Sequence, residues 1–277
     1  MRKSKRILYI SVGWLTGAVF LFTPLTPHAW EVLAPGLLIG EFDPAEKSPV
    51  PGDSIVVLRI DPEKYELKLL STSEQGGKPR TARQWAEDFG LSAVINASMY
   101  QEDHKTSTGY MKNFGHINNG QINSKFGAFL VFHPRSPGIP PVQIIDRYHQ
   151  GWKDIIQQYD TVIQNYRMIS LKGDNVWDPS NEMYSAACVG MDQEGHVLFI
   201  HSRASFSVHD LNRILLGLPI HIKNAMYVEG GKEAALYVNM DGKARAWVGS
   251  YEIDVTEHTP SRGGPEIPNV IGIVKRK

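Results

Sequence analysis

From residue 54 to residue 274 the chain repeatedly sets a short apolar or alternating run beside a turn. That pattern commits most of it to β-strands with short connections. Residues 54–61 read as one strand, Pro62-Glu-Lys64 as a turn, and residues 65–70 as the returning arm of a hairpin. Residues 185–191 and 196–201 form a second hairpin around Asp192-Gln-Glu-Gly195. Further strands are expected at 93–96, 127–132, 161–164, 168–171, 224–229, 235–239 and 245–248, and 270–274 closes the sheet. Helical patterns are few. Thr81 caps a helix that Gly90 stops. Residues 148–158 carry Trp152, Ile155, Ile156 and Tyr159 at helical spacing, a stripe expected to face the core. Ser207 opens a third helix that runs to Gly217. The expected class is α+β: a mostly antiparallel, hairpin-linked sheet with a few packing helices.

The N-terminus has a different character. Met1-Arg-Lys-Ser-Lys-Arg6 is basic, residues 7–22 are almost continuously apolar, and Ala29 offers a small residue for cleavage. These are the parts of a secretory signal. The apolar run is shorter than the roughly 20 residues that span a bilayer comfortably. Residues 1–29 are therefore expected to be a signal peptide or, if uncleaved, a membrane anchor with its basic end on the cytoplasmic side. The rest would be exported, periplasmic or anchored to the outer face of the cytoplasmic membrane. Residues 30–51, rich in Pro and Gly, read as an extended lead-in, and residues 52–277 as one large domain.

Charge and cysteine usage narrow the function. Lys plus Arg and Asp plus Glu both total 29, and no basic stripe follows the signal, so nucleic acid is not expected as a partner. The single cysteine, Cys188, lies in the apolar run Ala186-Ala-Cys-Val-Gly190, which suits a core strand better than a reactive thiol. His104, His116, His201 and His209 lack the paired spacing of a zinc site, so neither metal nor cofactor is expected.

Two regions carry polar chemistry. After the strand ending at Asn96 comes a long polar loop, residues 97–124, with Tyr100, His104, Tyr110, His116, Asn118 and Asn119. Long loops in compact domains are usually functional or disordered, and this mix of aromatic faces, amides and imidazoles suits a sugar. The second region is the apolar strand ending in Glu229-Gly230-Gly231. A strand-end carboxylate followed by glycines lets backbone approach a ligand closely. Glu229 could serve as general acid or nucleophile in glycosidic cleavage, with Asp210 or Asp192 as the second carboxylate. Each residue also has a plainer reading: Glu229 as an ion-pair partner of Arg167, Asn96 as a loop cap, His209-Asp210 as first-turn residues favoured by the helix dipole, and Lys232-Glu233 as a solvated turn.

Four segments occur in a telling order: Val94-Ile-Asn-Ala-Ser-Met-Tyr100, Gln164-Asn-Tyr-Arg-Met-Ile169, Ala186-Ala-Cys-Val-Gly-Met-Asp192 and Met226-Tyr-Val-Glu-Gly-Gly-Lys-Glu-Ala-Ala-Leu-Tyr237. With the helix around Asp210-Leu-Asn-Arg213, they resemble the phosphodiester glycosidase domain, the family of the lysosomal uncovering enzyme that removes N-acetylglucosamine from a sugar phosphodiester. The resemblance covers residues 52–275. Asn96, Gln164, Gly190, Gly230 and Gly231 match the family's motifs. Ala97-Ser98 stand for two glycines, Met99-Tyr100 for two aromatics, Tyr166-Arg167 for Gly-Pro, and Glu229 for an aspartate. Lys232-Glu233 stand for Gly-Ser, and Ala186 stands where the family has an arginine. The variant Asn-Ala-Ser-Met-Tyr resembles the first motif of a bacterial branch of exported proteins.

The resemblance implies a hydrolase of glycosyl phosphodiesters in an envelope glycan or glycolipid, with the substrate its main partner and membrane contact only through residues 1–29. It implies Glu229, Asn96, Arg167 and Asp210 as catalytic residues, and Tyr100, Gln164, His209, Gly230, Gly231 and Lys232 as substrate-binding residues. Arg167, Lys232 or Lys112 would take the place of the lost arginine, since a guanidinium fork is the natural clamp for a phosphate diester. The altered motifs leave a second reading open: a non-catalytic glycan-binding or envelope-maintenance protein on the same fold.

Overall fold

The computed structural model describes residues 30–44, 54–250 and 264–277. The segment read as signal or anchor lies outside the described residues. The described chain opens with β1 (Glu31–Ala34), β2 (Leu37–Phe42), β3 (Ile55–Ile60), β4 (Tyr65–Ser71) and β5 (Arg80–Thr81), then enters α1 (Ala82–Phe89). β6 (Ala93–Asn96), β7 (Met111–Asn113), β8 (His116–Asn119), β9 (Ala128–Pro134) and β10 (Val142–Asp146) precede α2 (Trp152–Ile156). β11 (Tyr159–Ile169), β12 (Tyr184–Asp192) and β13 (Val197–Phe206) lead to α3 (Val208–Gly217). β14 (Ile222–Gly230), a single 3-10 turn (Gly231–Glu233), β15 (Ala235–Met240), β16 (Lys243–Val248), β17 (Glu266–Ile267) and β18 (Asn269–Lys275) complete it.

The strands form an eleven-stranded sheet and a five-stranded sheet, with β5 and β17 as a small separate pair. The large sheet runs β1-β2-β3-β13-β12-β14-β11-β7-β8, and β9 and β10 join through β11; the smaller runs β16-β15-β6-β18-β4. The named strand pairs are antiparallel, so the α+β expectation holds. The main core lies between the two sheets and joins Val56, Leu58, Val189 and Met226 of the large sheet to Leu67, Ile95, Leu236 and Ile271 of the smaller. The other face of the large sheet packs on α3 through Leu211 and Leu215. The outer face of the smaller sheet packs on α1 through Trp85, whose indole N–H donates to the Ile267 carbonyl at 2.9 Å. Burying such apolar area is the main stabilising term.

Local signals account for the helices. Thr81 and Gln84 form a reciprocal capping box at the start of α1, and Gly90, at φ 62°, ends it. Ser207 caps α3 by accepting from the Asp210 N–H. Cys188 is fully buried in β12, where desolvation pushes its thiol far above its ordinary range.

The structure departs from the sequence reading in several places. β3 and β4 do not form a hairpin: β2 and β13 take both edges of β3, and β4 pairs with β18 in the other sheet. A strand has two edges, so none remained for β4. Residues 161–164 and 168–171 belong largely to the single long strand β11. The helix expected over 148–158 is only α2, because Asp146 captures the preceding segment. Its carboxylate accepts from the Tyr148 N–H and meets the His149 ring, and Gln150 bonds back to the Asp146 N–H. Such local side-chain bonds compete with a helix. Trp152 still packs on Phe129, and Ile156 and Tyr159 are buried, as the stripe implied. The lead-in holds β1 and β2, both part of the large sheet. The long loop holds the β7–β8 hairpin, and β10 is a strand the sequence reading did not name.

Candidate functional site

Glu229 is the next-to-last residue of β14 and lies in a bulge. Ala187 of β12 pairs with Glu229, but the next residue, Cys188, pairs with Tyr227, so β14 carries one extra residue. Ala187 also pairs with His201 of β13. Glu229, Ala187 and His201 therefore form one row across three strands, and directly opposed side chains share a face. Ala187 belongs to the core between the sheets, so both polar side chains turn toward one end of that core.

Burial sets the ionisation of both. Glu229 is 8% exposed, and desolvation raises its pKa to about 8; the negative charge of Glu233 adds to this, against one stabilising bond from the Gly230 N–H at 3.0 Å. His201 is fully buried, and desolvation lowers its pKa to about 4. At neutral pH the site thus holds a carboxylic acid and a neutral imidazole. His201 Nε2 lies 3.2 Å from the Ala234 carbonyl, which places the proton on Nε2 and leaves Nδ1 as an acceptor. Nδ1 of His201 and Oε2 of Glu229 are buried without a hydrogen-bond partner among the described residues. Unsatisfied buried polar atoms are rare in native proteins and mark places where something else binds or reacts.

Asn96, at the end of β6, holds the loop beside them. Its Oδ1 accepts from the Ala235 N–H at 2.7 Å and its Nδ2 donates to the Glu233 carbonyl at 2.9 Å. Asn96 and His201 together grip residues 233–235 and fix the 3-10 turn that carries Glu233. Gly231 opens that turn at φ 65°, where a side chain would strain the backbone. The glycine pair also serves contacts within the chain. A Cβ on Gly230 would overlap the Tyr227 hydroxyl, and a Cβ on Gly249 would overlap the Gly231 carbonyl. Asn165 donates to the Ala97 carbonyl at 2.8 Å, and its Oδ1, like Ser98 Oγ, has no partner among the described residues.

The other expected site residues have partners of their own. Gln164 uses both ends of its amide to organise the long loop: it donates to the Asn123 and Phe126 carbonyls and accepts from the Tyr110 and Asn123 N–H groups. Arg167 binds Asp146 at 2.9 Å and 3.0 Å and stacks on Tyr148; its ion-pair partner is not Glu229. Asp210 sits in the first turn of α3, where its carboxylate accepts from the capping Ser207 hydroxyl and lies near His209 and Arg213. That bonding holds Asp210 below the usual carboxylate range. Helix α3 covers the other face of the large sheet from Glu229. Asp192 binds Arg59 at 2.8 Å, about 16 Å along β12 from Ala187. Asp192, Glu194 and His196 draw close enough to hold a cation, but the Arg59 guanidinium bridges the two acids. Lys232 is exposed and pairs with Glu233 at 3.8 Å. Tyr100 is half-buried and stacks on His104, with ring centroids 5.2 Å apart.

The structure thus ties Asn96 and His201 to residues 233–235, puts Glu233 near enough to Glu229 to act on its charge, and sets Asn165 on the Ala97 carbonyl beside Asn96. Glu233 was read only as part of a solvated turn, although Glu-Gly-Gly-Lys-Glu places a second acid four residues on. Asn165 stood beside Gln164 in a strand, so one of the two had to face each side.

A family profile described as phosphodiester glycosidase matches residues 89–274. No curated protein sequence matches the chain significantly. Among solved structures, one similar chain is the zebrafish N-acetylglucosamine-1-phosphodiester alpha-N-acetylglucosaminidase catalytic domain, auto-inhibited by its pro-peptide. It matches at TM-score 0.62 and 14% identity over 88% of this chain and 85% of that one. A hypothetical protein from Synechocystis matches at TM-score 0.57 and 13% identity, over 88% of this chain and 63% of that one. A protein from Burkholderia pseudomallei K96243 described as exported matches at TM-score 0.53 and 10% identity, over 80% and 74% of the two chains. At these identities the likenesses show the fold.

Proposed function

As the chain belongs to the phosphodiester glycosidase family, we propose that it is an exported hydrolase cleaving a glycosyl phosphodiester of an envelope glycan or glycolipid at the Glu229 site. The observation that carries the reading is Glu229 itself: buried, with its pKa raised to about 8, and with Oε2 unpartnered among the described residues. A phosphate diester is an anion, and an ionised carboxylate beside it would repel it. A protonated Glu229 instead donates Oε2–H to the phosphoryl oxygen, much as other enzymes keep a carboxylic acid neutral so that it can donate. Glu233 is the neighbouring carboxylate. It accepts a proton from water as the water oxygen bonds to the anomeric carbon. The bond from that carbon to the phosphate oxygen breaks with its electron pair on the phosphate. The products are a sugar with a free anomeric hydroxyl and a phosphate monoester that carries the Glu229 proton. Asn96 acts through the turn that positions Glu233.

A synthetic sugar phosphodiester with a chromogenic group on the phosphate tests the reading. Release of reducing sugar is expected, and the rate should fall as pH rises through about 8, where Glu229 loses its proton. Binding without turnover from pH 5 to pH 9 would sink the hydrolase assignment. That result would favour the glycan-binding alternative, which draws support from the engagement of Arg167 by Asp146.

Export rests on the basic-then-apolar start of the sequence. A fusion of residues 1–30 to a reporter active only in the periplasm should give signal, and a silent reporter would count against it.

A further inference from the structure

A cavity of about 550 Å³ opens away from the Glu229 site. On β18, Asn96 pairs with Val270, while Glu66 of the cavity lining pairs with Val274. Four residues of strand separate the two levels by about 13 Å. The floor is apolar, with Leu67, Phe132 and Val142, and the rim carries Glu63, Glu66, Asp160, His133, Arg276 and the ring of Phe114. We propose that this cavity binds an uncharged saccharide segment, with Phe114 as the ring on which a sugar face stacks. The proposal stands on the cavity alone, whether or not the Glu229 site turns over a phosphodiester.

The first argument is backbone strain held for a side chain. Asn113 pairs with His116, so Phe114-Gly115 is a two-residue hairpin loop. Phe114 has φ 49°, and Gly115 is not in the left-handed region. A two-residue hairpin loop with positive φ at its first position favours glycine there. The sequence has the pair in the reverse order and puts the bulky residue in the strained position. His133 is the second case: it has φ 58° and precedes a proline, which disfavours anything but extended backbone there. The two strained residues pack ring against tilted ring, with centroids 4.8 Å apart, and Phe114 is still 51% exposed. Non-glycine residues persist in such conformations where the surrounding structure needs them, and they cluster at ligand sites.

The second argument is charge. Lys68 and His133 meet Oε1 of Glu66, and Arg135 binds Oδ1 of Asp160. With Glu63 and Arg276, three carboxylates face three cations. Burial, the largest influence on His133, holds its pKa below the usual value, so it adds no charge at neutral pH. Little net field remains for an ionic ligand, yet the second oxygens of Glu66 and Asp160 can accept hydroxyls, and the terminal nitrogens of Arg276 can donate. Apolar floor, exposed ring and balanced polar rim match the two faces of a pyranose. The volume lies within the roughly 300–1,000 Å³ of small-molecule sites.

The test is an array of neutral, amino-bearing and anionic oligosaccharides probed with the full chain, Phe114→Gly and Glu229→Gln. Wild type should retain neutral oligosaccharides. Phe114→Gly should lose at least tenfold in apparent affinity while melting at a higher temperature, because the turn loses its strain. Glu229→Gln should bind as wild type. Failure to retain any neutral glycan, a preference for anionic ones, or equal binding by Phe114→Gly would overturn the proposal. So would loss of binding in Glu229→Gln alone, which would assign the glycan to the other site.

Discussion

Replacing Glu229 with Gln is expected to lower turnover of a sugar phosphodiester by about 10²–10⁴-fold, the usual worth of a positioned acid, and at the same time to stabilise the fold at alkaline pH. The two effects share one cause. Burial raises the folded-state pKa of Glu229 from 4.5 to about 8. Between those values the folded chain holds a proton that the unfolded chain has released, so stability falls as pH rises. The full penalty is present above about pH 8 and absent below about pH 4.5. A shift of this size corresponds to roughly 5 kcal/mol across the window. Glutamine keeps the shape, can still accept from the Gly230 N–H, and never ionises. Denaturant unfolding at pH 5 and pH 8 should show wild type weakening and Glu229→Gln holding steady relative to it. Parallel behaviour of the two proteins would mean that Glu229 titrates normally. Undiminished turnover would remove it from the chemistry.

Much of this site follows from signals local in sequence. A buried strand ending in Glu229-Gly230-Gly231 and a strand ending in Asn96 could be read directly, because each depends on one short run. So could the caps at Thr81 and Ser207 and the hairpin joining β12 to β13. What the sequence did not disclose depends on register and on distant partners. His201 shares a row with Glu229 only because both pair with Ala187, and the bulge at the end of β14 decides which face Glu229 takes. No periodicity along one strand encodes that. Asn165 and Gln164 carry the same kind of amide, and only the sheet reveals that Gln164 is consumed by the loop while the Asn165 oxygen has no partner among the described residues. The placing of β4 opposite β18 rather than β3 joins segments some 200 residues apart, a pairing that local propensity cannot specify.

Removing the Arg167 side chain is expected to cost stability rather than chemistry. Asp146 is 2% exposed. Burial alone would raise its pKa, but the N–H groups of Leu171 and Tyr148, the His149 ring and Arg167 together hold it below the usual carboxylate range. Its charge is therefore retained at neutral pH, and Arg167 is its permanently charged partner. Arg167→Ala takes the guanidinium away from that buried charge, and breaking a buried pair in this way costs roughly 3–5 kcal/mol. Arg167→Lys should recover only part of the loss, since an ammonium cannot reproduce both the contact to the two carboxylate oxygens and the stacking on Tyr148. Asp146→Asn combined with Arg167→Ala should cost less than the sum of the single changes, the signature of a coupled pair. Because Asp146 has a depressed pKa, its contribution is present above its ordinary value of 3.8 and is lost as pH falls through the lower folded value; the Arg167→Ala defect should shrink in the same acid range. Unfolding midpoints of wild type, the three single variants and the double variant, with turnover measured on the folded fraction, decide the matter. An Arg167→Ala protein as stable as wild type but unable to bind sugar phosphodiesters would instead make this guanidinium the phosphate clamp.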